Sequence, residues 1–255
     1  MRLSRRHPRY ASLVVRARLA EAMRDGLVVP EGLIAQGRGE AFDYLLGEQT
    51  TPAARRAERA AAGWLLAART PVVSVNGNVA ALAARDVARL QRAVPGLAVE
   101  VNLFHRTPAR ARAVARELRK AGVARVLGVR PSARLPGLPS DRASVDVRGI
   151  VRADLCLVPL EDGDRTEALR RQGKRVISID LNPLSRTSRA ADLPVVDELT
   201  RALRAIASAA RSRGRPRRTG VFPAFDAARA LADALAAIDR RLRRSGRSRP
   251  RRRRG

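Results

Sequence analysis

The sequence predicts an α/β protein: a three-layer, Rossmann-like, mainly parallel sheet with an N-terminal helical segment and a C-terminal helix. Three observations lead there. ADLCLVPL (153–160) and RVISIDL (175–181) are short apolar runs of the kind that form buried strands. Such runs alternate with helical patterns along the middle of the chain, which implies parallel pairing through right-handed crossovers. The polar clusters fall repeatedly just after the strand candidates, where open α/β sheets bind ligands.

Residues 9–25 carry Tyr10, Leu13, Val14, Ala17 and Leu19 at helical spacing before Gly26, and predict a helix. Residues 32–48, GLIAQGRGEAFDYLLGE, are glycine-rich and read as a loop leading into a short helix. The Ala-rich stretch 52–69 opens on Pro52 and reads as a strong helix. PVVSVNGN at 71–78, a β-branched run closed by Asn-Gly-Asn, and AVEVNLF at 98–104 are strand candidates, with a helix over about 108–121. ARVLGV at 124–129 adds a short apolar run. TEALRRQG (166–173) reads as a helix between the two buried strands, LPVVDE (193–198) as a last strand, and 199–211 as a helix. These elements form one domain over 1–210. A basic linker is expected at 211–222, and an amphipathic helix over 223–244 from Phe225, Ala228, Leu231, Leu235, Ile238 and Leu242. That helix must dock on the domain or on a second subunit. The Arg-rich end, 245–255, has no core-forming residues and is expected to be disordered.

The 255 residues carry a formal charge of +28. Such a balance suits a nucleic-acid or other anionic partner. Residues 211–255 hold +13 of it, and only Lys120 and Lys174 are lysines among the 52 basic residues, so an arginine-biased composition explains much of the excess. A charge run is usually solvated or disordered, so nucleic acid is not the expected partner, except weakly through the tail. No run of 18 apolar residues is present, which predicts no transmembrane helix; the start, MRLSRRHPRY, lacks the apolar core of a signal peptide. One cysteine, Cys156, excludes an internal disulfide and a cysteine-built zinc site, and a cytoplasmic protein is expected.

The polar clusters carry the chemistry. Asn76-Gly77-Asn78 follows the first strand, and Asn102 with Arg106-Thr107 the second. The stretch from Glu161 through Asp162, Asp164 and Arg165 to Glu167 follows the 153–160 strand. Asp180, Asn182, Ser185, Arg186 and Thr187 follow the next. Each has a plain reading: Asn78 fits an N-cap as well as a ligand contact, and the acidic stretch fits a solvated turn. Asp162 and Asp164 also suit Mg²⁺, which takes one or two carboxylates plus phosphate oxygens. Asp164 alternatively orients Arg165. There is no glycine fingerprint for dinucleotides, no phosphate-binding P-loop, and only two histidines, His7 and His105. The residues alone lead to an α/β protein with an arginine- and aspartate-lined anion pocket.

HPRYASL (7–13), GLIAQGRGEAFDYLLGE, PVVSVNGNVAAL (71–82), EVNLFHRT (100–107), PLEDGDRTEAL (159–169) and IDLNPLSRT (179–187) resemble the archaeal phosphopantothenate synthetase (4-phosphopantoate–β-alanine ligase) family, in the family's order. ARLPGL (133–138) and VVDELTRA (195–202) fit as well, so the resemblance spans about 5–205. It implies a step of coenzyme A biosynthesis: ATP-dependent, AMP-forming condensation of 4-phosphopantoate with β-alanine through an acyl-adenylate, with Mg²⁺, by a homodimer. It implies ATP contacts at Arg16, Arg38, Asp180, Leu181, Asn182, Arg186, Thr187, Glu198 and Leu199. Our reading of the strand ends assigns Asn76, Asn78, Asn102 and Arg106 to phosphopantoate. Catalytic candidates are Arg38, Asp162, Asp164 and Arg165, with no general base assigned. Two positions depart from the family pattern: Glu198 stands where the family usually has Asn, and His105 where it has an aromatic hydroxyl. The plain readings are a rim or packing role for His105, a helix entry for His7 and a structural or ATP-steering role for Lys174. A nucleic-acid-binding protein, or another nucleotide-dependent α/β enzyme such as a dehydrogenase, are the alternatives.

Overall fold

The computed structural model describes residues 4, 6–7, 9–215 and 218–247. Its elements run α1 (Tyr10–Arg24), α2 (Pro30–Leu46), α3 (Pro52–Ala67), β1 (Pro71–Val75), α4 (Gly77–Ala93), β2 (Ala98–Val101), α5 (Pro108–Lys120), β3 (Val126–Leu127), β4 (Ala133–Arg134), β5 (Ser144–Val145), β6 (Leu155–Pro159), α6 (Gly163–Arg171), β7 (Arg175–Ile179), α7 (Arg186–Ala190), β8 (Leu193–Val195), α8 (Leu199–Arg213) and α9 (Ala227–Arg247). Six strands form one sheet in the order β3-β2-β1-β6-β7-β8, every neighbouring pair parallel. The strand order reverses between β1 and β6, the point at which open α/β sheets have their binding crevice beyond the carboxyl ends of the strands.

Alternation along the strands builds the layers. Val73, Val75, Leu157, Ile177 and Ile179 face α3, α4, α5 and α8 in the larger core. Val72, Cys156, Val158 and Val176 face the other way, against Ala168 and Leu169 of α6 and against Leu135, Ala143, Val145 and Ile150. Strands buried on both faces explain why β6 and β7 read as unbroken apolar runs. A third cluster, Leu46, Leu181, Val196 and Ala234, packs α2 and α9 against the loops that follow β7 and β8.

Several expectations need correction. Residues 32–48 are not a loop: α2 is continuous from Pro30 to Leu46, with Pro at its first position and Gly47 closing it at φ 96°. The glycines that suggested a loop serve packing. A Cβ on Gly32 would collide with Asn78 Oδ1, so α2 approaches α4 only without a side chain there. Helix α6 begins at Gly163, not 166, and this puts Asp164 and Arg165 inside it. The apolar run at 124–129 pairs over two residues only. The antiparallel β4–β5 hairpin, the 3-10 turn Asp141–Ala143 and the π-helical turn Val147–Val151 were unforeseen.

The C-terminal helix docks on the domain itself, where Leu231 and Ile238 join the third cluster. Residues 218–222 lie along α3: Arg218 and Gly220 amides donate to the Leu66 and Ala67 carbonyls, and Phe222 meets Trp64 at 5.4 Å between ring centres. Helix α8 absorbs Arg211–Arg213 of the expected linker. Residues 245–247 of the expected disordered end close α9, and 248–255 lie outside the described residues.

Candidate functional site

The crevice is joined at its base by Asn76. Its Oδ1 accepts from the Val79 amide and caps α4, and its Nδ2 donates to the carbonyls of Leu160 (2.9 Å) and Pro159 (3.3 Å) at the end of β6. Leu160 is held at φ 50°, a left-handed conformation unusual for a branched side chain, where β6 turns into the acidic loop. Asn76 rather than Asn78 is therefore the cap. Asn78 sits in the first turn and donates to the Gly32 carbonyl at 2.8 Å, tying α4 to α2.

The acidic loop is wired by arginines. Arg165 is fully buried and donates to Ser74 Oγ at 2.8 Å and to Glu161; its Nε and Nη2 have no hydrogen-bond partner. Asp164 does not orient it. Consecutive residues on a helix point about 100° apart, and Asp164, 68 % exposed, pairs with Arg186 at 2.6 Å. Arg142, from the 3-10 turn, reaches Glu161 at 2.7 Å and Asp162 at 2.6 Å. Its Nε faces Asp162 and its Nη1 faces Glu161, so one guanidinium holds both carboxylates. Burial raises the Asp162 carboxyl above the usual range against the pull of Arg142.

Beyond β7, the Asp180 carboxylate shapes its loop, accepting from the Asn182 amide at 2.9 Å and from Ser185 Oγ at 2.6 Å. Burial raises its pKa, while those bonds and the nearby Arg38 guanidinium act in the opposite sense. Arg38 is exposed on α2, above this loop. Asn182 Oδ1 accepts from the Leu184 amide. Thr187 Oγ1 donates to the Glu161 carbonyl at 2.6 Å, and Arg186 adds Glu167 to Asp164, so the loops after β6 and β7 form one wall. Leu181 is core, in the cluster under α2 and α9.

Glu198 caps α8: its carboxylate accepts from the Thr200 and Arg201 amides and from Thr200 Oγ1. Leu199 is buried in the larger core. Arg16 lies off this wall, where its guanidinium holds Glu40 of α2 by two hydrogen bonds of 2.9 and 3.0 Å. Asn102 and Arg106 hold backbone. Asn102 Nδ2 donates to the Arg142 and Ser144 carbonyls, and Arg106 Nη2 to those of Gly128 and Val129. Asn102 Oδ1 and Arg106 Nη1 are left without partners. His105 is exposed at the rim, 3.7 Å from Glu31, and His7 Nδ1 accepts from the Arg9 amide at the entry to α1. Lys174 is buried with Nζ on the Val151 and Ala153 carbonyls, a structural post.

The sequence model of phosphopantothenate/pantothenate synthetases matches residues 53–241. The chain belongs to that family. Three relatives of this family are named 4-phosphopantoate–β-alanine ligase. The Thermococcus onnurineus protein is 49 % identical over 248 residues, which is 95 % of this chain and 94 % of that one. The Methanosarcina mazei protein is 49 % identical, covering 92 % and 94 %. The Methanospirillum hungatei protein is 51 % identical, covering 92 % and 96 %.

In this family member the strand ends bring together Asn76, Asn102, Asp162 and Arg165 on one side, and Arg38, Asp180, Asn182, Arg186 and Thr187 on the other. Arg142 and Arg110 escaped the sequence reading. Arg110, on α5, holds the Leu27 carbonyl through Nε, and its Nη2 lies 3.0 Å from where a Cβ on Gly77 would stand. The only signal for Arg142 was an arginine in an otherwise unpatterned stretch. Among the described residues no helix is long and apolar enough to cross a membrane.

Proposed function

We propose that this chain ligates 4-phosphopantoate to β-alanine in coenzyme A biosynthesis, converting ATP to AMP and pyrophosphate. The observation that carries the proposal is the likeness to ligases of that name over nearly the whole chain. The crevice suits such chemistry. A carboxylate is a poor electrophile, and activating it brings a phosphorylated acid and a nucleotide triphosphate together, so cations must offset their repulsion.

ATP lies over the Asp180–Thr187 wall beneath Arg38, with Arg186 and Thr187 toward its phosphates and Glu198 and Leu199 at the far end. Phosphopantoate lies at the β1–β2 side, where Asn76, Asn78, Asn102 and Arg106 build the floor. A pantoate carboxylate oxygen bonds to the α-phosphorus as the bond to the bridging oxygen breaks and pyrophosphate leaves. The β-alanine nitrogen, once deprotonated, then bonds to the acyl carbon, and AMP departs with that carboxylate oxygen. Asp162 and Asp164 are hard oxygen donors at the junction of the two sides, and a two-carboxylate set fits Mg²⁺ once Arg142 and Arg186 give way to phosphate. Mg²⁺ supplies charge neutralisation for the departing pyrophosphate. The active form is proposed to be a homodimer.

Purified protein supplied with 4-phosphopantoate, β-alanine, ATP and Mg²⁺ releases AMP only when both other substrates are present. ADP as the nucleotide product contradicts the proposal.

A further inference from the structure

The 128–151 excursion, besides covering one face of the sheet, carries Arg142 to the strand ends. Asn102 grips the Arg142 and Ser144 carbonyls at 3.1 Å each, the Arg106 amide donates to Asp141 Oδ2 at 3.0 Å, and buried Glu100 accepts from the Asp146 and Ile150 amides at 2.9 and 2.7 Å. These tethers run from β2 and the loop after it, and they seat Arg142 at 6 % exposure beside the crevice. Its guanidinium carbon lies 5.8 Å from the centre of the Phe104 ring, within cation–π reach. Arg110 is close enough that burial and the charge of Arg142 together lower its pKa. Arg110 Nη2 in turn borders Gly77, the first residue of α4.

Arg142 and Arg165 pair with Glu161 and Asp162, and Arg110, with Glu31 near it, adds a third guanidinium beside Arg142. The N-terminus of the 17-residue α4 adds a partial positive charge of about one half, and its first amides have no intrahelical partner. Nε and Nη2 of Arg165 are buried N–H donors without an acceptor, while Nε and Nη1 of Arg142 are held by Asp162 and Glu161 at 2.6 and 2.7 Å. Buried donors left open in a cation-rich pocket call for an anion with several acceptor oxygens.

Building on the ligase reading, we infer that Arg142 reads the phosphate of the substrate acid, with Arg110 and the α4 N-terminus completing the pocket. The phosphate replaces the Asp162 carboxylate on the Arg142 guanidinium. Glu161 stays on Arg165, while Asp162, whose side chain is 42 % exposed, turns toward solvent and becomes free for other ligands. Arg142 is thus the residue that separates a phosphorylated acid from its unphosphorylated parent.

The test is Arg142→Gln and Arg142→Lys, each folded as judged by melting. Arg142→Gln raises KM for 4-phosphopantoate by about 10–100-fold, the loss expected for charge-assisted hydrogen bonds, with KM for ATP and β-alanine within about twofold. Arg142→Lys lies between, because it keeps the charge and loses the fork. A KM for 4-phosphopantoate that stays within about twofold overturns the assignment, as does an equal rise in all three KM values. Should Arg142→Gln not fold, a crystal structure of the unsubstituted protein with 4-phosphopantoate decides: the phosphate sits within hydrogen-bond distance of Arg142, or the assignment is wrong. Failure of the unsubstituted chain to release AMP overturns the ligase reading instead.

Discussion

The carboxamide of Asn76 donates to the carbonyl of Leu160 at 2.9 Å while its oxygen caps the helix that follows. One side chain thus closes the crevice between β1 and β6 and aims the α4 N-terminus into it. Asn76→Asp separates the two tasks, because a carboxylate caps a helix as well as a carboxamide does but has no N–H for Leu160. We expect Asn76→Asp to lose at least about tenfold in kcat/KM, with a carboxylate now facing a carbonyl. Asn76→Ala loses the cap as well and falls by about 1–2 kcal/mol in stability. Urea denaturation beside steady-state kinetics measures both. Unchanged activity in Asn76→Asp removes Asn76 from the site's framework.

Glu58 of α3 is buried next to Asp197, which Thr50 and Arg201 hold in place. Burial first, then the hydrogen bond and charge of Asp197, raise the Glu58 carboxyl to about 8. Below its ordinary value of 4.5 both folded and unfolded chains hold the proton. Between there and about 8 only the folded chain does, so stability falls as pH rises through that window. Glu100, raised to about 7 chiefly by burial, acts in the same sense, so the difference between variants is the useful quantity. Glu58→Gln gains stability over the parent from pH 5 to 8, and the gap is largest at pH 8. A gap that does not widen with pH contradicts the buried proton.

Glu198 caps α8 at the position where the family resemblance leads one to expect Asn. Asn is an equally good cap, so Glu198→Asn leaves stability within about 0.5 kcal/mol, while Glu198→Ala costs about 1 kcal/mol. With Arg186 and Thr187 toward the ATP phosphates and Glu198 at the far end, Glu198→Asn leaves KM for ATP within about twofold. A fall of about fivefold, the effect of removing a repulsion of about 1 kcal/mol, contradicts that placement.

Arg38 and Asn182 stand on opposite sides of the proposed nucleotide, one on α2 and one on the loop after β7. Arg38→Ala removes an exposed cation and leaves the core intact, so KM for ATP rises about tenfold or more without a change in melting temperature. Asn182→Ala also loses the Asn182 Oδ1 bond to the Leu184 amide and raises KM through a looser loop. Retention of ATP affinity in both variants refutes the placement of ATP over this wall.

The legible parts of the fold were those governed by short-range pattern. Strands β6 and β7 are apolar on both faces, and Asn76, Asp180 and Glu161 follow strands directly, so position along the chain located them at one edge. Helix α2 was illegible because Gly32, Gly37 and Gly39 mimic a loop. What keeps it helical is packing against Asn78 and Leu181, which are distant in sequence. Asp164 and Arg165 looked like partners because they are adjacent, yet the helix turns one to solvent and the other into the core. Arg142 had no pattern at all. Its place depends on Asn102, 40 residues earlier, holding its carbonyl.

The basic end needs a different cut from the one its composition suggests. Ending the chain at 210 removes α9 and the segment along α3, both part of the packed domain. A chain ending after Arg247 keeps them. We expect it to retain ligase activity and to lose any salt-dependent retention of nucleic acid, and a filter-binding titration over salt concentration measures that loss.

The acyl-adenylate is tested most directly by following an oxygen. With ¹⁸O in the carboxylate of 4-phosphopantoate, attack on the α-phosphorus followed by release of AMP transfers one labelled oxygen to AMP. Mass spectrometry of the nucleotide after complete turnover is predicted to find that label in AMP. AMP without label, or label in inorganic phosphate alongside ADP, contradicts the account.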